Sequence, residues 1–154
     1  MPQDSEIIIS DTSCLILLSK IDELNLLGKL SENVFITPEI KNEFTKDLPT
    51  WIKVKKPTDK HYQRILEIDL DKGEASAIAL SLDLQNSIII LDDLKGRKIA
   101  EKLNLRYSGT FGLILRAKQV GLIEKVKPIL AKIRQTNFRF SEELFEITLH
   151  EAGE

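Results

Sequence analysis

Five acidic residues punctuate the chain in four places: Asp11, Glu43, Glu74 and the adjacent pair Asp92–Asp93. Asp11 ends the apolar run Ile7-Ile8-Ile9-Ser10, and the pair ends Ile88-Ile89-Ile90-Leu91. Such runs read as buried parallel strands, and ligands bind beyond the carboxyl ends of parallel strands. Carboxylates gathered at one such edge repel each other unless a cation holds them. All-oxygen donors favour a hard ion, Mg²⁺ or Mn²⁺, over zinc. Such an ion lowers the pKa of a bound water, and a second can stabilise a leaving oxygen, so the natural reaction is phosphodiester hydrolysis.

Each residue has a plainer role beside this one. Asp11, in Ser10-Asp11-Thr12-Ser13, is also a helix N-cap, and a capping carboxylate is rigidly held, so the two roles are compatible. Glu43 stands four residues from Glu39, which places both on one exposed face. With Ile40 and Phe44 turned to the core, however, Glu43 lies beside the apolar face and can reach the sheet edge. Glu74 opens an Ala/Leu-rich helix and favours the positive helix terminus, yet it stands at the door of a buried element. Asp92 and Asp93 point to opposite sides if the chain is extended there, so one is expected to ligate while the other caps the next helix or holds a water. Lys95 and Arg97, with Lys98, form either a solvated helix face or a phosphate contact, and the hydroxyls of Thr12 and Ser13 flank Asp11. Further basic residues, Lys102, Arg106, Arg116 and Lys118, are candidates for footing a nucleic-acid backbone.

Strands are predicted at 6–10, 33–36, 51–55, 87–91 and 105–107, the third as a half-buried edge strand. Helices are predicted at 12–19, 22–30, from Pro38 through Phe44, and at 59–69, 74–84, 93–103, 111–120, 123–134 and 141–151. Thr37-Pro38 gives an N-cap followed by proline at the first helical position, and Asp71-Lys72-Gly73 reads as a break. Alternating strands and helices imply an α/β three-layer sandwich with a mainly parallel central sheet of about five strands. No repeat or linker divides residues 1–154, so one domain is expected, with helix 141–151 packing on it or mediating contacts.

The 154 residues are 42% hydrophobic and 30% charged with net charge −2, which excludes a disordered chain and a broadly basic nucleic-acid coat. Cys14 lies in an apolar stretch and reads as a buried thiol. His61 and His150 are far apart in polar surroundings, so a Cys/His zinc site is unsupported. No run approaches a membrane span and no signal-peptide pattern opens the chain, so the cytoplasm is the expected compartment. A receiver-type phosphorylated domain lacks its aspartate after the third strand and its lysine after the fifth. A haloacid-type phosphatase lacks the second aspartate after Asp11.

The ordered set resembles a PIN domain. An aspartate follows the first strand, a glutamate sits in Thr37-Pro38-Glu39-Ile40-Lys41-Asn42-Glu43, and an acid opens Glu74-Ala75-Ser76-Ala77-Ile78. A Leu-Asp-Asp…Arg signature then spans Leu91-Asp92-Asp93 to Arg97, and Ser108-Gly109-Thr110-Phe111-Gly112 and Phe138-Arg139-Phe140-Ser141 are similar to one PIN-like branch. The resemblance implies a Mg²⁺- or Mn²⁺-dependent ribonuclease, similar to the VapC-type toxins of toxin–antitoxin pairs. Its implied ligands are Asp11, Glu43, Glu74 and Asp93, with Asp92 the extra acid and Leu91 where relatives often carry threonine. The implied partners are RNA, a small antitoxin protein and a second copy in a homodimer. The alternative is a catalytically silent PIN-like binding module. Leu15, Leu18, Leu24 and Leu27, more apolar residues than one small core obviously needs, favour the dimer.

Overall fold

The structure, a computed structural model, describes residues 6–154. Five parallel strands form one sheet: β1 (Ile7–Ser10), β2 (Asn33–Ile36), β3 (Ile52–Val54), β4 (Ser87–Ile90) and β5 (Tyr107–Ser108), in the order β3-β2-β1-β4-β5. Ile8 pairs with Val34 on one side and Ile88 on the other. Ile9, Ile36, Ile89 and Ile90 are fully buried, as strands covered on both faces require. The strand order reverses at the β1–β4 pair, and Asp11 and Asp92–Asp93 leave that pair at its carboxyl end.

Helices flank the sheet to complete the α/β sandwich: α1 (Thr12–Lys20), α2 (Asn25–Leu30), α3 (Pro38–Phe44), α4 (Lys60–Leu66), α5 (Lys72–Asp83), α6 (Leu94–Lys102), α7 (Thr110–Gln119), α8 (Lys127–Arg134) and α9 (Glu142–Glu151). The small side chains of Ala75, Ser76, Ala77 and Ala79 let α5 approach β1, β4, α3, α4 and α6 closely, and all four are buried. α9 packs on α7 through Phe145 edge-on to Phe111 at 5.0 Å.

Predicted element types agree with the structure, while several boundaries differ for identifiable reasons. The 22–30 helix begins only at Asn25, because Asp22 adopts φ 58° and the Glu23 amide bonds back to Leu18 to close α1. Asn104 (φ 58°) and the Leu105 amide close α6 the same way, which shortens the 105–107 strand to Tyr107–Ser108. Gly121 (φ 84°) and Leu122 close α7, and α8 starts at Lys127, later than the predicted 123. In the other direction, α5 starts before Glu74, at Lys72.

Leu15, Leu18 and Leu27 are fully buried in this chain's own core, and Leu24 packs partly buried against it. These residues therefore carry no argument for a dimer. Among the described residues no helix is long and apolar enough to cross a membrane.

Candidate metal centre

Beyond the carboxyl ends of β1 and β4 lies a cleft of about 180 Å³, lined by Asp11, Thr12, Ser13, Glu43, Asp71, Glu74 and Asp93. Four of the five acids singled out from the sequence meet there. They arrive on separate elements, so the cleft depends on how those elements are locked.

Asp11 is only 3% exposed. It caps α1, one carboxylate oxygen accepting from the Cys14 amide at 2.8 Å and the other from the Asp92 amide at 3.3 Å. Burial, then the charges of Asp92 and Asp71, push its pKa up to about 7, against the pull of those two amide donors. The thiol of Cys14 behind it is fully buried and pushed upward by burial and by the charges of Asp11 and Asp92, so it is an inert structural group, as its apolar neighbours predict.

Glu43 reaches the cleft from α3, where it accepts a hydrogen bond from the Thr12 hydroxyl. α3 is held against α5 by a buried hydroxyl pair, Thr37 Oγ1 to Ser76 Oγ at 2.6 Å, while Thr37 also caps α3 from the Ile40 amide. Gly73, in the first turn of α5, makes room: a Cβ there would stand 2.3 Å from Glu43 Oε1 and 3.2 Å from Thr12 Oγ1. The absence of a side chain is what lets the Glu43 carboxylate lie against the helix.

Glu74 is half-buried, and its pKa is pushed to about 8. Burial is the main cause, followed by the charges of Asp71 and Asp93, a carboxyl–carboxylate hydrogen bond to Asp71, and the charge of Asp11. Its carboxylate rests against Gly96 of α6, where a Cβ would lie 3.3 Å from Oε2. Asp71, expected within a helix break from the composition Asp71-Lys72-Gly73, is instead the N-cap of α5 and accepts from the Glu74 amide at 2.9 Å. The Asp71-x-x-Glu74 spacing is a capping-box pattern, and that signal could have found it.

The Asp pair divides its work differently from the expected one ligand and one cap. Asp93 does both: it caps α6 through the Gly96 amide at 3.1 Å and lines the cleft. Asp92 turns away and accepts from the Thr110 amide (2.8 Å) and hydroxyl (2.6 Å) at the start of α7. Arg97 goes with Asp92, its Nε donating to the Leu91 carbonyl at 2.8 Å and its guanidinium 5.7 Å from the Tyr107 ring. Lys95 is exposed on α6. Arg106 and Arg116 are both tied to Glu6, before the first residue of β1, and Lys118 to Glu154, so these three are committed away from the cleft.

Among the described residues no group of three or more His, Cys, Asp or Glu side chains is already arranged to hold a metal ion. The donor set nevertheless fits a hard divalent cation. Among the described residues it is all oxygen, with five carboxyl groups and two hydroxyls, and no Lys or Arg lines it to balance the charge. A Mg²⁺-type ion needs only one or two protein carboxylates and keeps several waters.

A family model described as a PIN domain (DUF3368) matches residues 7–154, nearly the whole described chain. No curated protein and no solved structure shows a significant match. The family match agrees with the all-parallel five-stranded sheet and with the acids at its switch point: the chain belongs to the PIN-domain family, whose members are generally nucleases that typically use divalent metals.

Proposed function

We propose that the acidic cleft is the Mg²⁺ or Mn²⁺ site of an endoribonuclease that hydrolyses RNA phosphodiesters, acting as the toxin of a toxin–antitoxin pair. The observation that carries this reading is the convergence of Asp11, Glu43, Glu74 and Asp93 from four separate elements into one cleft at the carboxyl edge of the sheet. Asp11 and Asp93 are the direct ligands, with Glu43 and Glu74 in support and Asp71 an additional acid. A bound cation would supply a lowered water pKa and neutralise charge on the phosphate.

The chain's own residues prepare the cleft. Backbone amides hold both oxygens of Asp11, so its carboxylate has one fixed orientation. The Thr12 hydroxyl does the same for Glu43, and Asp71 for the start of α5. Ser13 and Lys95 are exposed beside these elements and would contact the phosphate backbone. Asp92 acts through its amide on Asp11 and through its side chain on α7.

A catalytically silent binding module has one observation in its favour: both Asp11 oxygens already accept backbone hydrogen bonds. Cleavage of single-stranded RNA in Mn²⁺ or Mg²⁺ separates the two readings. Asp11→Asn and Asp93→Asn should each reduce cleavage by about 100-fold or more, since even supporting residues of metal sites are worth about 10–100-fold. Activity that persists in chelator and in both variants would sink the ribonuclease reading. A small antitoxin is the expected protein partner. A homodimer would be built on the exposed apolar residues Tyr62, Ile65 and Ile68 of and after α4. Co-purification with the product of an adjoining reading frame, and sedimentation of the isolated chain, test these two points.

A further inference from the structure

On the other side of the Asp92–Asp93 step lies a second hollow, of about 290 Å³, between β5, α7 and α9. One dipeptide separates it from the acidic cleft: Asp93 lines the cleft and Asp92 lines the hollow. Its walls are apolar, from Tyr107, Phe111, Leu115, Leu144 and Ile147. Leu144, Ile147 and Glu151 recur at helical spacing on one face of α9, so a single helix presents both an apolar wall and a carboxylate. Arg97 enters from α6. Its Nε is occupied by the Leu91 carbonyl, and among the described residues no acceptor engages Nη1 or Nη2. Gly109 makes way for it, since a Cβ there would stand 2.3 Å from Nη2. Asp92 is already satisfied by Thr110, which leaves Arg97 and Glu151 as the charged groups available to a ligand.

The wall is also built to keep its shape. Phe111 packs on Phe140 at 4.8 Å and on Phe145 at 5.0 Å, and the guanidinium of Arg134 lies 3.9 Å from the Phe145 ring centroid. The Glu154 carboxylate, just past α9, accepts from the Val126 and Lys127 amides (2.8 and 3.1 Å) and pairs with Lys118 at 2.9 Å. The end of α9 is thus fastened to α7 and to the start of α8 through Glu154, while Ile147 and Glu151 stay exposed.

We propose that this hollow is a base-recognition subsite that takes one guanine of the single-stranded RNA whose backbone lies in the acidic cleft. An apolar slot of this size suits one flat ring, and unstacked RNA bases are held by such walls and read on their polar edges. Guanine alone presents two adjacent acceptors, O6 and N7, to match an arginine fork, and two adjacent donors, N1–H and N2–H₂, to match a carboxylate. Arg97 takes the first edge and Glu151 the second. The polymer's identity rests on the ribonuclease reading; the base preference does not need catalysis.

The test is therefore made without metal. The four ribonucleoside 5′-monophosphates are titrated into the full chain in EDTA, with binding followed by calorimetry and amide chemical shifts. Ribose and phosphate are common to all four, so a difference reports the base. The guanine nucleotide should bind about tenfold tighter than the other three, and shifts should centre on 107–112 and 144–151. Glu151→Gln should bring the preference to within about threefold. Ile147→Trp, at the exposed mouth, should abolish binding of all four while thermal unfolding shows the fold intact. No saturable binding, equal binding of the four bases, or a guanine preference that survives both substitutions overturns the proposal. Failure of RNA cleavage in Mn²⁺ would leave this result standing, and the converse also holds.

Discussion

Gly73 shows how far the cleft depends on what is absent from a side chain. Alanine is the better helix former by up to about 1 kcal/mol, so Gly73→Ala acts on stability in a favourable direction. Its Cβ, however, would meet Glu43 Oε1 at 2.3 Å and Thr12 Oγ1 at 3.2 Å. Glu43 is exposed and its far end can move, so the protein should fold with an unchanged or higher melting temperature. RNA cleavage and Mn²⁺ affinity should fall by about 10–100-fold, as expected when a supporting ligand is displaced. Parallel measurement of unfolding and Mn²⁺ binding checks this, and an unchanged Mn²⁺ affinity would remove Glu43 from the site. At this scale Asp11, Glu43, Glu74 and Asp93 were legible because a carboxylate after an apolar run, or opening a buried helix, is chemically conspicuous. Asp71 was hidden because Asp71-Lys72-Gly73 has the composition of a turn, although the glycine serves close approach and the aspartate a cap. The different directions of Asp92 and Asp93 followed from strand geometry, but the Thr110 partner that draws Asp92 away is a contact 18 positions on, which no local pattern reveals.

The strands and most helices could be read because their apolar spacing and caps are local: Asp11, Thr37 and Ser141 each accept from an amide of the helix they begin. Helix ends were less legible. Asp22 and Asn104 take the left-handed conformation that glycine signals at Gly121, and nothing in hydrophobic periodicity marks them. The juxtaposition of α3 and α5 was also invisible, since it hangs on Thr37 and Ser76, 39 residues apart. Ser76 Oγ donates to the Gly73 carbonyl at 2.7 Å, and Thr37 donates to Ser76. Ser76→Ala therefore leaves a buried hydroxyl without its acceptor, at a cost of about 1–3 kcal/mol. Because α3 carries Glu43, the variant should lose cleavage activity as well as stability. Urea unfolding and the RNA assay on one preparation test whether the two losses come together. A stable, fully active Ser76→Ala protein would show that other contacts set the helix pair.

The whole molecule folds around an uncompensated cluster of acids, and its stability should depend on pH accordingly. Asp11 moves from 3.8 to about 7 and Glu74 from 4.5 to about 8 on folding, so the native state binds more protons than the unfolded chain between about pH 4 and 8. Stability of the metal-free protein must then fall as pH rises through that window. Glu154 acts in the opposite sense: desolvation opposes its ionisation, but the Val126 and Lys127 amides and Lys118 outweigh this and hold it at about 2. Its contribution is complete above pH 4.5 and does not disturb the window. Metal-free protein should melt lower at pH 8 than at pH 6, and saturating Mn²⁺ should raise the melting temperature more at pH 8. A flat or rising metal-free profile would mean that the acids do not repel one another in the folded state. In the proposed nuclease the acidic cleft, and not the neighbouring hollow at Asp92, is the cation site. Anomalous diffraction from a crystal grown with Mn²⁺ tests it most directly. A manganese peak should stand between Asp11 and Asp93 and disappear in Asp11→Asn; a cleft that stays empty at saturating Mn²⁺, or a peak beside Asp92 instead, would overturn the assignment.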